Sequence, residues 1–135
     1  MAKDAPDGVL LVAATLVVGA EPVSPETATE ALVFEVARKT TSSTEYQTVV
    51  THTVTIGKVF ILTAVEMESD NYTKTHFKLV IGDDTPFEDQ LFENPYSPPI
   101  PALKMAAGSV VTLSCKSTDG TEITVDGDLI GKEIG

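Results

Sequence analysis

From Tyr46 onward, apolar and polar residues alternate along much of the chain, which is the period of a half-buried strand and not of a helix. In "VVTHTVTI", Val50, His52, Val54 and Ile56 share one face, while Val49, Thr51, Thr53 and Thr55 share the other. Thr-rich outer faces suit a solvated sheet surface. Gly57 ends that run. In "KVFILTAVEME", Val59, Ile61, Val65 and Met67 fall on one side and Phe60 and Leu62 on the other, so the early part of the strand is apolar on both sides. That pattern predicts a central strand or a covered outer face. "SDNY" reads as a turn. "THFKLVIG" turns Phe77, Leu79 and Ile81 inward and His76 and Lys78 outward, and "GSVVTLSCKS" turns Val111, Leu113 and Cys115 inward. Asp119-Gly120 then stands between two alternating runs and predicts a hairpin, because Gly accepts the positive φ of primed turns.

The flanking and irregular segments carry different patterns. Residues 9–18 form a nearly continuous apolar run, consistent with a strand buried on both faces. Ser24-Pro25-Glu26 is a good helix start, with Ala28, Ala31, Leu32 and Val36 at helical spacing. Alternation of Leu32, Phe34 and Val36 with Ala31, Val33 and Glu35 instead favours a strand over residues 31–38. Residues 82–102 carry five prolines and cannot be a central strand. They predict a surface excursion with a short edge strand around Leu91-Phe92. About seven to nine short strands and no convincing long helix predict an all-β fold, an antiparallel sandwich or barrel. Residues 1–28 are expected to form an N-terminal arm, strand and linker, and residues 29–135 the β-sandwich domain.

Composition narrows the function. The 135-residue chain fits one domain, and its 42% hydrophobic content suffices for a core. Its net charge is −11, spread evenly: residues 1–68 hold four basic and nine acidic residues, residues 69–135 five and eleven. A surface this acidic repels phosphate backbones and anionic lipid, so nucleic-acid and membrane partners are disfavoured. The single cysteine, Cys115, precludes an intramolecular disulfide and a cysteine-based metal site. The run "GVLLVAATLVVG" resembles a signal-peptide core, but "MAKDAPDG" before it holds two Asp against one Lys, so a strand is expected.

Candidate chemistry is sparse. Asp126 and Asp128, and Glu66, Glu68 and Asp70, stand at i, i+2 spacing, but no closing Glu or EF-hand loop accompanies them. Alternating acids on a strand are ordinarily a solvated face. A carboxylate pair of a hydrolase or lyase needs no sequence proximity, and clustering of several acids in one concave pocket would point to it. Cys115 is expected to be a small buried hydrophobe, His52 a satisfied core histidine and His76 exposed. No nucleophile elbow or phosphate-binding glycine loop is present. Sugar binding would need an exposed ring; the chain has no Trp, which leaves Tyr72 and Tyr96 in turn or loop segments. No catalytic residue, metal ligand or cofactor site is expected.

From about residue 46, "GKVFILTAVEM", "PYSPPIPALKMAAGSVVTLSCKS", "DGTEITVDGDLIG" and the closing "IGKEIG" resemble small jelly-roll modules of tailed-phage virions. These are head-decoration (cement) proteins and tail-associated receptor-binding modules. The resemblance is one of layout, covers about two-thirds of the chain and transfers no site residues. It implies a jelly roll and a non-enzymatic, commonly trimeric virion subunit that braces the major capsid protein lattice or serves at a tail. An apolar segment behind a Pro-rich linker also suits strand addition to a neighbour. Val9, Leu10, Leu11, Val12, Leu16 and Val17 are therefore the expected interaction residues, with Tyr72 and Tyr96 held for the alternative of a secreted carbohydrate-binding module or adhesin.

Overall fold

The computed structural model describes residues 29–135; the expected arm of residues 1–28, with Val9, Leu10, Leu11, Val12, Leu16 and Val17, lies outside the described residues. Eight described strands carry the fold: β1 (Glu30–Thr41), β2 (Gln47–Thr53), β3 (Val59–Ser69), β4 (Thr75–Ile81), β5 (Asp84–Gln90), β6 (Leu103–Met105), β7 (Val110–Ser117) and β8 (Ile123–Ile134). One sheet has the order β1-β8-β3-β6 and the other β2-β7-β4-β5, with every neighbouring pair antiparallel. Each connection except β4–β5 crosses from one sheet to the other, which is the winding of an eight-stranded jelly roll. The fold is thus an all-β antiparallel sandwich.

The core lies between the sheets. Phe60, Leu62 and Val65 of β3, Phe77 and Leu79 of β4, Val111, Leu113 and Cys115 of β7, and Ile123, Val125 and Leu129 of β8 are buried there. Removing each large side chain from water stabilises the fold by roughly 1.5–3 kcal/mol. Two glycines of β8 make room for this packing. A Cβ on Gly131 would lie 2.5 Å from Phe60 Cζ, and one on Gly127 would lie 2.7 Å from Leu113 Cδ2.

Several expectations need correction. The two-sided apolarity of β3 comes from a bulge between Leu62 and Ala64. The extra residue reverses the side-chain phase, so Phe60 and Leu62 face inward before it and Val65 and Met67 after it. Ile56 does not join Val54 in the core; it sits past the end of β2 and is exposed. Asp119-Gly120 does form a turn, with Gly120 at φ 92°, the Gly120 N–H donating to Ser117 Oγ and the Thr121 N–H donating to Asp119 Oδ1. The strands it joins, β7 and β8, belong to opposite sheets, so it is a crossover and not a hairpin. The edge strand of the Pro-rich excursion is Asp84–Gln90, upstream of Leu91-Phe92. It tolerates Pro86 because an edge strand can spare one ladder donor.

Candidate functional site on the outer face of the first sheet

Register maps the outer face of the β1-β8-β3 sheet as rows running across the three strands. Leu32, Lys132 and Ile61 form one row; Phe34, Ile130 and Ala64 the next; then Val36, Asp128 and Glu66; then Arg38, Asp126 and Glu68. The face is therefore apolar toward the start of β1 and acidic toward its end. On β1 the apolar side chains face solvent, with Leu32 75%, Phe34 58% and Val36 66% exposed. The opposite side of the same strand packs Val33 and Ala37 against the core. β1 is thus apolar on both sides, although it stands at the edge of its sheet among the described residues.

The acidic half borders a cavity of about 430 Å³, lined by Val36, Glu66, Glu68, Asp126, Asp128 and Tyr96 among others. Tyr96 reaches it because the Pro-rich segment is tied back to β3: Tyr96 and Met67 exchange backbone hydrogen bonds of 2.9 and 3.0 Å. Its ring stacks on Phe92 at 4.3 Å, and Phe92 lies 5.4 Å from Phe77 in the core. Asp126 is occupied by Arg38, whose Nε and Nη2 donate to its carboxylate at 2.7 and 3.0 Å; this pairing holds the Asp126 carboxyl below its usual range. Asp128 has no such partner. Burial first, and then the hydrogen-bonding and charge of Glu66, push its pKa up to about 6, and its Oδ1 is buried without a hydrogen bond.

Four carboxylates, Glu66, Glu68, Asp126 and Asp128, thus line one concavity, the clustering that would point to a hydrolase or lyase, with Asp126 taken up by Arg38. No group of three or more His, Cys, Asp or Glu side chains suited to a metal ion occurs among the described residues.

The other singled-out residues have structural roles. Tyr72, in a one-turn 3₁₀ helix (Tyr72–Lys74), and Tyr96 are half-buried and pack against the core, and Tyr96 also lines the cavity. His52 is satisfied between two acids: Nε2 lies 2.8 Å from Glu133 Oε2 and Nδ1 lies 3.7 Å from Glu35. Glu133 is buried and also accepts the Thr55 N–H at 3.0 Å, the main reason its carboxyl is held below its usual range. His76 is half-buried, not exposed, with Nδ1 4.0 Å from Asp89.

A second constellation was not legible in the sequence. The Tyr46 hydroxyl donates to Asp89 Oδ1 at 2.5 Å and accepts the Asp89 N–H at 2.7 Å, while Lys116 lies 3.0 Å from the same carboxylate. Burial, and then Asp89, raise the Tyr46 pKa. Asp89 adopts φ 54°, a left-handed conformation that Asp tolerates better than most residues with a side chain, and both its N–H and its carboxylate are tied to Tyr46. The cluster pins β5 to the sheet. Its partners lie 43 and 27 residues from Asp89 along the chain, too far apart for any local pattern to reveal.

Among the described residues no helix is long and apolar enough to cross a membrane. No protein-family model matches the chain, and neither a curated protein nor a solved structure is significantly similar to it.

Proposed function

We propose that the protein is a non-enzymatic structural subunit that acts by assembling with copies of itself, as an accessory (capsid-decoration) component of a virion. The observation that carries this reading is the solvent-facing row Leu32, Phe34 and Val36 on an edge strand of an otherwise acidic chain. Long apolar edges are normally blunted by charge, bulges or Pro, because they recruit other chains. Jelly rolls serve in viral shells and in lectins alike, so the fold supports the reading without fixing it. The layout resemblance favours a trimer and the major capsid protein as the outer partner. The acidic surface argues against nucleic acid and anionic lipid as partners.

Size-exclusion chromatography with light scattering tests the assembly step. A mass near three times the 14.3 kDa chain supports the reading. A monomer at all concentrations up to about 100 μM, well above the range of stable oligomers, counts against it.

The cavity beside Tyr96 favours one second reading, a glycan-binding module whose acids accept sugar hydroxyls. A glycan array on which wild type binds and Tyr96→Ala does not would support it, and an empty array would remove it.

A further inference from the structure

We propose that β1 is the acceptor edge for residues Val9–Val18 of a neighbouring copy, which add to the β1-β8-β3-β6 sheet as its outermost strand; the inference rests on the assembly reading above.

The four sheet edges differ in how well they could receive a strand. Among the described residues β6 is only three residues long. β2 is broken by a register shift between Thr48 and Val50. β5 has two such shifts and contains Pro86. β1 alone is long and regular: its twelve residues pair with β8 in unbroken register from Glu30 to Thr41. Charge, bulges, Pro and shortness are the usual protections of an edge; β1 has no bulge or Pro and is not short, and its charges, Glu30, Glu35, Arg38 and Lys39, leave Leu32, Phe34 and Val36 exposed between them.

The occupant follows from the chain that precedes β1. Residues 1–28 enter the fold directly at the start of this strand. Within them Val9–Val18 is largely apolar on both alternating rows: Val9, Leu11, Ala13 and Val17, with Thr15 among them, on one, and Leu10, Val12, Ala14, Leu16 and Val18 on the other. A strand with two apolar sides needs cover on both. Beside β1 its inner row would continue Val33 and Ala37 over the core, and its outer row would extend Leu32, Phe34 and Val36. Ten extended residues span about 33 Å, against about 40 Å for the twelve of β1.

The linker points to a neighbour's β1. Strands paired in one chain are ordinarily joined by loops of about two to five residues. Residues 19–28, "GAEPVSPETA", contain Pro22, Pro25, Glu21 and Glu26. Each Pro holds itself and the residue before it extended. Two such points in a ten-residue linker disfavour the tight turn that would return the segment to its own strand. Chains of net charge −11 repel one another, so association through this apolar seam should strengthen as salt screens them.

Disulfide trapping in the full-length chain tests the inference. One protein carries Leu32→Cys on the exposed row, and a second set carries Leu10→Cys, Val12→Cys, Ala14→Cys or Leu16→Cys. The native Cys115 is buried and serves as the unreacted control. The two proteins are unfolded together, refolded and oxidised, with light scattering run on the same samples. The expected result is an oligomer, and a disulfide between two different chains at one or two adjacent-register positions. An oligomer with no such disulfide at any position overturns the strand-exchange inference and leaves the assembly reading standing. A monomer overturns both. Placing each Cys pair in one chain checks the remaining alternative: a disulfide within a single chain shows the segment on its own β1 and overturns the exchange. Leu16→Asp, in a segment outside the described domain, is expected to weaken the oligomer at least about tenfold, as a buried unpaired charge requires, while the circular dichroism of the sandwich is unchanged.

Discussion

At the scale of single residues, the acids of this chain have opposite effects on stability. Asp128 has a folded-state pKa of about 6, above the roughly 3.9 of an unfolded chain. The folded state therefore binds its proton more tightly. The stability it confers is fully present below about pH 4 and is lost as pH rises through 6. Asp128→Asn is expected to flatten the pH dependence of urea unfolding between pH 4 and 7. At pH 8 it should raise stability by about 1 kcal/mol, a value reduced for partial exposure. Glu133 has the reverse sign: its depressed pKa adds stability above the ordinary Glu range, and that stability is lost as pH falls. Glu133→Ala leaves the Thr55 N–H and His52 without their acceptor and is expected to cost about 2 kcal/mol or more in the same assay. The sequence shows His52 on an apolar face, but not that Glu133, 81 positions away, meets it. Such pairings depend on how distant strands register, which no local spacing encodes.

At the scale of elements, alternation identifies strands well and their partners poorly. The inward residues of β4 and β7 are those the period-2 pattern picks out, because no bulge disturbs those two strands against each other. β3 reads as apolar on both sides because one inserted residue reverses its phase. Asp119-Gly120 reads as a hairpin because turn chemistry is local, whereas the sheet that receives the next strand is set by the closure of the sandwich. Gly131 is invisible as a core position since it has no side chain, yet Phe60 fills the space beside it. Gly131→Val is expected to cost at least about 3 kcal/mol through overpacking and a displaced ring, measured as a lowered urea midpoint with an unchanged m-value. On β1, the exposed row belongs to no fold requirement. Phe34→Asp should therefore leave the unfolding midpoint of the isolated chain within about 0.5 kcal/mol of wild type while abolishing assembly by light scattering.

At the scale of the whole molecule, the jelly roll leaves one regular edge open among its described strands, and the preceding segment is largely apolar on both rows. Amide hydrogen exchange over Glu30–Thr41 tests directly whether another strand covers that edge. In an antiparallel pair alternate amides of β1 point away from β8. Those outward amides are expected to exchange slowly in the full-length protein, with protection that deepens as concentration rises through the assembly midpoint. Exchange at the rate of an open edge at every concentration would contradict the claim that β1 is where copies of this chain join.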